Sequence, residues 1–159
     1  MSTDNSDGHT QQFEKQVTVF CDASFCRKSG AVGWAVAVRA SRTPGRAVRS
    51  QYLSGGTLSA EMRDNNAAEL LAMEKASEHL AASVDLTGQT VVFYVDCLAA
   101  LEAYRPDQLY RAGAASVELR HTPGHKGFSS PNAALNTWAD KTAKSEMRVL
   151  RDEAYLQVL

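Results

Sequence analysis

The chain has 159 residues, 44% of them hydrophobic and 22% charged, with a formal net charge of −1. That length bounds one domain with a sizeable core, and the composition is that of an ordinary globular protein rather than a membrane span or a basic tail. Three cysteines (Cys21, Cys26, Cys97) are an odd count without metal-ligand spacing, so no disulfide framework is expected and a reducing, cytoplasmic setting fits.

Residues 1–13 are polar and carry no apolar core of a signal peptide, so they are expected to be a disordered tail ahead of a single domain over 14–159. Residues 16–22, dense in β-branched and apolar side chains, read as a strand buried on both faces. A second strand is expected over 30–39 and a third over 47–54, with Thr43-Pro44-Gly45 turning between them. Together these three read as an antiparallel meander, and residues 55–64 as a polar connection. Asn65 is expected to cap a helix running to about Ser83, since Leu70, Met73, Leu80 and Val84 recur at helical spacing. Leu86-Thr87-Gly88 then turns the chain into a second buried strand, 90–95. A short helix over 98–104 stops before Pro106, a strand follows at 116–121, and a long helix is expected from Ala133 to about Val158. Strands first, then alternating helix and strand, predict an α/β fold. Its mixed five-stranded sheet would have three antiparallel strands, then parallel ones, and helices on both faces.

Asp22 ends the run Val17-Thr18-Val19-Phe20-Cys21, and Asp96 ends Val91-Val92-Phe93-Tyr94-Val95. Ligands gather beyond the carboxyl ends of parallel strands, so these two side chains converge if their strands are neighbours. Glu69 lies in the expected first long helix and Asp140 in the last. Each alone has a bland reading: Asp96 as a helix cap, Asp22 in a turn, Glu69 and Asp140 on solvated faces. Four converging carboxylates would repel one another without cations, and hard divalent ions such as magnesium prefer oxygen ligands. Charge elsewhere is uneven: no acid occurs from Ala23 through Ala60, while Arg27, Lys28, Arg39, Arg42, Arg46 and Arg49 fall there. Such a block either neutralises phosphates beside an acidic cleft or is a solvated hairpin face.

At these residues the chain resembles the type 1 ribonuclease H family, over about residues 16–145 and in the form that lacks the basic protrusion. The matching pieces are Val19-Phe20-Cys21-Asp22-Ala23-Ser24, Gly33-Trp34, Asn65-Asn66-Ala67-Ala68-Glu69-Leu70, Tyr94-Val95-Asp96, Gly124-His125-Lys126-Gly127 and Asn136-Thr137-Trp138-Ala139-Asp140. Each is weak alone; all of them in the family's order make a strong signal. The resemblance implies a ribonuclease H-like fold and an endonuclease that hydrolyses the RNA strand of RNA–DNA hybrids, leaving 5′-phosphate and 3′-hydroxyl ends. It implies two Mg²⁺ ions, with Mn²⁺ able to substitute, held by Asp22, Glu69, Asp96 and Asp140. His125 would assist proton transfer or product departure. Asn65 and Asn66 would read the hybrid's minor groove, where the 2′-hydroxyl marks RNA. Ser24, Lys28, Arg42 and Arg46 complete the candidate substrate contacts. His121 does not match the motif and is expected to be structural. A monomer with no obligate protein partner and no membrane association is expected.

The chain departs from the family pattern in four places. Ala23 stands where glycine is usual, Cys97 where serine follows the third carboxylate, and Leu98 where a polar substrate contact is common. Asp64 replaces a residue that helps hold a DNA phosphate, an unfavourable exchange unless the acid turns away. Two rival functions remain: a DNA-acting nuclease of the same fold, and a non-catalytic ribonuclease H-like binding module. The asparagine pair and the Gly-His-Lys-Gly turn favour the hybrid enzyme over the first. Retention of all four carboxylates favours it over the second.

Overall fold

Three β-rich runs of the sequence, two of them ending in a candidate carboxylate, form the middle of one sheet. The computed structural model describes residues 16–40, 49–122 and 131–157. Its strands are β1 (Gln16–Cys26), β2 (Ala31–Ala40), β3 (Arg49–Leu58), β4 (Thr90–Val95) and β5 (Ser116–His121). Its helices are α1 (Asn65–Ser83), α2 (Leu98–Ala103), α3 (Asp107–Arg111) and α4 (Pro131–Gln157). The sheet order is β3-β2-β1-β4-β5, antiparallel from β1 to β3 and parallel among β1, β4 and β5. This is the mixed five-stranded sheet expected from the pattern of elements. The expected tail, residues 1–13, lies outside the described residues.

Alternation along the strands assigns the two faces. Val17, Val19, Cys21, Val36, Val38, Val91 and Phe93 share one buried cluster with Ala72, Met73, Ala76 and Leu80 of α1. Alanines at 68, 72 and 76 recur every four residues and are fully buried, so α1 lies close against the sheet. The larger Met73 and Leu80 fill the gaps, each contributing about 1.5–3 kcal/mol through burial. On the opposite face Ala35 packs with Ala139 and Ala143 of α4, and Trp138 lies over them. Tyr52 of β3 meets Trp138 edge-on, with ring centroids 4.9 Å apart. Helices therefore cover both faces. Free cysteines also agree with expectation: Cys21, Cys26 and Cys97 are all unpaired. No described helix is long and apolar enough to cross a membrane.

Two strand ends and one short helix differ from the sequence reading. β1 continues past Asp22 to Cys26, pairing antiparallel with β2 as far as Ala31. β3 is not confined to residues 47–54: Gly55, Gly56, Thr57 and Leu58 extend it, pairing with Trp34, Gly33, Val32 and Ala31. Two adjacent glycines look like a strand break, but here the missing side chains make room for neighbours. A β-carbon on Gly55 would meet the Trp34 ring at 2.7 Å, and one on Gly56 would meet Leu150 of α4 at 2.5 Å. The short helix α3, between Pro106 and the left-handed Gly113 (φ 108°), was not foreseen.

One buried polar pair fixes α2 against α1. The Ser77 hydroxyl donates to the Met73 carbonyl at 3.0 Å, which spends its only proton, so it accepts from the Tyr104 hydroxyl. Burial pushes the Tyr104 phenol up to about 12, which keeps it a donor. Ser77→Ala strands that buried hydroxyl and is expected to cost about 1–3 kcal/mol in urea denaturation. Adding Tyr104→Phe should recover most of the loss, because neither partner is then unpaired. A double variant no more stable than Ser77→Ala would refute this assignment.

Candidate active site

The parallel register brings the first two carboxylates side by side. Phe20 pairs with Tyr94, so two residues further along each strand Asp22 lies level with Asp96. β4 ends at Val95 while β1 runs on, which leaves Asp22 at the notch beyond the β4 terminus. Glu69 comes in from the second turn of α1. One carboxylate oxygen from each of Asp22, Glu69 and Asp96 lies within 4.8 Å of the other two. Asp22 is 9% exposed, Glu69 half-buried and Asp96 exposed. The capping explanation of Asp96 does not hold: the N-cap of α2 is Cys97, with no side-chain capping bond.

Burial of this cluster shifts its acids strongly. Asp22 is pushed up to about 6, first by burial and then by the Asp96 and Asp140 charges, while hydrogen bonds from Glu69 and the Ala23 backbone pull it down. Glu69 is pushed up further, by burial first and then by the Asp22 charge and hydrogen bond. Without a cation the site therefore favours Glu69 as the protonated partner of Asp22. Glu69 Oε2 is buried and finds no hydrogen-bond partner among the described residues. An all-oxygen donor set with one orphaned carboxylate oxygen suits a hard divalent cation.

Asp140 stands beside the cluster rather than within it. It follows Ala139, which packs on Ala35, the β2 partner of Asp22. Its Oδ2 accepts from Lys144 Nζ at 3.1 Å. The i,i+4 spacing of this pair was legible in the sequence but not singled out.

The expected substrate contacts divide. Asn65 and Asn66 open α1, both exposed. The N-cap is Asp64, not Asn65 as expected: its Oδ1 accepts from the Ala67 N–H at 2.8 Å. Both residue types cap well, and the extended backbone at Asp64 (φ −155°, ψ 172°) puts the earlier one in place. The acid that looked unfavourable thus turns onto the helix end, leaving both asparagine side chains free of capping. Ser24 lies two residues beyond Asp22 on the same sheet face, and Lys28 is exposed in the turn between β1 and β2. Arg42, Arg46 and His125 lie outside the described residues. The strand ends flanking residues 41–48 pair near Val17, five residues from Asp22 and at the amino end of β1. His121 Nε2 contacts the Asp96 backbone carbonyl at 3.0 Å, in keeping with a structural part. Two contacts were not read from the sequence. Cys97 Sγ donates to Asn66 Oδ1 at 3.2 Å, and the buried Thr122 hydroxyl has no partner among the described residues.

No protein-family model and no curated protein matches the chain. Solved structures do. LC9-RNase H1, a type 1 RNase H with the type 2 active-site motif, aligns over 86% of this chain and 74% of its own at 19% identity, with a TM-score of 0.63. The N-terminal RNase H domain of a Mycobacterium tuberculosis protein aligns over 87% and 98% at 16% identity, TM-score 0.60. LC11-RNase H1, solved with an RNA/DNA hybrid, aligns over 83% and 96% at 15% identity, TM-score 0.56. The fold is therefore ribonuclease H-like, as the sequence resemblance implied.

Proposed function

We propose that this chain is a divalent-metal-dependent endonuclease that hydrolyses the RNA strand of RNA–DNA hybrids to 5′-phosphate and 3′-hydroxyl ends. The observation that carries the reading is the convergence of Asp22, Glu69 and Asp96 where β4 ends beside the continuing β1 of a ribonuclease H-like sheet. The similarity to LC11-RNase H1, a structure that contains an RNA/DNA hybrid, supports the substrate class.

Asp22, Glu69, Asp96 and Asp140 would hold two Mg²⁺ ions, or Mn²⁺, which supply an activated water and stabilise the leaving oxygen of an in-line displacement. The protein's own contribution begins with charge. Asp22 and Glu69 must both ionise, and their raised affinity for protons makes cation binding pH-dependent. Lys144 Nζ holds one oxygen of Asp140, which orients that carboxylate and leaves the other oxygen to meet the cation. Asn65 and Asn66, freed from capping by Asp64, offer amide protons toward the minor groove. Ser24 and Lys28 stand where a phosphate could be met, Arg42 and Arg46 add positive charge, and His125 would move a proton or release product. The chain is read as acting alone, as a monomer in a cytoplasmic setting that keeps its cysteines reduced.

The test compares a labelled RNA–DNA hybrid with double-stranded RNA, double-stranded DNA and single strands, in magnesium or manganese. The expected result is cutting of RNA in the hybrid alone. Cutting of DNA would move the chain to a DNA-acting nuclease of the same fold. Hybrid binding in calcium with no cutting on adding magnesium would make it a binding module.

A further inference from the structure

Asn66 and Glu69 stand three residues apart on α1, so the amide and the carboxylate share one face of the helix. Asp64 already supplies the N-cap, and nothing in that turn consumes the Asn66 side chain. Its Oδ1 accepts instead from Cys97 Sγ at 3.2 Å, across 31 positions of sequence. Cys97 occupies the N-cap position of α2 yet makes no capping bond, so its one proton is available to the amide. The contact joins the helix that carries Glu69 to the residue that follows Asp96. An amide whose oxygen is held on one side presents its two N–H protons on the other.

We propose that Cys97 is a positioning residue for substrate recognition: its thiol fixes the Asn66 amide so that donors, not the carbonyl oxygen, face the nucleic acid. The inference rests on the hybrid-cleaving reading above. A minor groove offers mainly acceptors, namely pyrimidine O2, purine N3 and the oxygen of the RNA 2′-hydroxyl. A donor-presenting Asn66 matches them without first rotating. With Cys97 replaced by alanine, the amide is free to turn its oxygen toward those acceptors, and part of the population meets the groove with the wrong group. Serine keeps a donor at the same position and should keep the orientation.

The experiment measures hybrid affinity in calcium, and kcat and KM in magnesium, for wild type, Cys97→Ser, Cys97→Ala, Asn66→Ala and the Cys97→Ala/Asn66→Ala pair. Cys97→Ala is expected to raise Kd and KM about fivefold, the worth of one modest hydrogen bond, with kcat unchanged. Cys97→Ser should restore wild-type values. In the Asn66→Ala background, Cys97→Ala should add nothing, because the group it orients is gone. An equal effect of Cys97→Ala in both backgrounds, or a serine variant as poor as alanine, overturns the assignment and leaves the hybrid reading standing. A wild type that neither binds nor cuts hybrid overturns both.

Discussion

Asp22→Asn is expected to abolish metal-dependent cleavage, by on the order of a thousandfold or more, while making the metal-free protein more stable above neutral pH. The two effects share one cause. Asp22 is 9% exposed and sits within 4.8 Å of two other carboxylates, so its charge is useful only when a cation shares the site. Burial raises its folded-state pKa from 3.8 to about 6. A carboxyl that holds its proton more tightly in the folded chain stabilises the fold at low pH. That contribution begins to fade as pH passes the unfolded value near 4 and is gone once pH exceeds about 6. A rise of this size corresponds to about 3 kcal/mol shared within the Asp22–Glu69 pair, and Glu69 is shifted in the same direction. In chelator, thermal or urea denaturation at pH 4.5 and 7.5 should show wild type losing more stability over that interval than Asp22→Asn. Magnesium should restore wild type at pH 7.5 and leave the variant little changed, since binding stabilises only a site that can bind. Equal pH losses in the two proteins would mean that the Asp22 carboxylate is not a source of the strain.

What the sequence made legible follows from how local each signal is. The runs ending in Asp22 and Asp96 are dense in β-branched residues, and a parallel register makes neighbours of their ends. Glu69 is set by helical periodicity, so three of the four carboxylates were readable as a group. Where two local signals were nearly equal, the reading slipped by a residue: Asp64 and Asn65 both cap well, and only the backbone decides. The extension of β3 through Gly55 and Gly56 could not be read, because a glycine pair resembles a turn until Trp34 and Leu150 are seen filling the space. Cys97 and Asn66 meet only because α1 and the β4–α2 junction are packed together. No pattern in one dimension brings a thiol to an amide 31 positions away.

Gly33→Ala is expected to be among the most damaging single changes to stability in the chain. An added β-carbon there would lie 2.0 Å from the Ala143 carbonyl oxygen, 2.4 Å from the Met147 backbone nitrogen and 3.0 Å from the Met147 β-carbon. Two of these three atoms are helix backbone, so no rotamer change relieves the clash and α4 itself must move away. Overpacking of this kind costs about 1–3 kcal/mol, and a rigid backbone neighbour puts the cost at about 3 kcal/mol or above. Gly33 also pairs with Ser24 of β1 and Gly56 of β3, which places the displacement at the centre of the α4 contact. Asp140 lies one turn before Ala143 on that helix, so the same shift withdraws it from Asp22. Gly56→Ala is the control. Its β-carbon would meet the flexible tip of Leu150 at 2.5 Å and the Val32 carbonyl oxygen at 3.0 Å, and the leucine can rotate. That variant should lose only about 1–2 kcal/mol and keep its cleavage rate. Urea denaturation, with hybrid cleavage measured at a temperature where both variants stay folded, separates the two outcomes. A Gly33→Ala protein as stable as wild type, or less damaged than Gly56→Ala, would show that α4 does not hold Asp140 in place through this backbone contact.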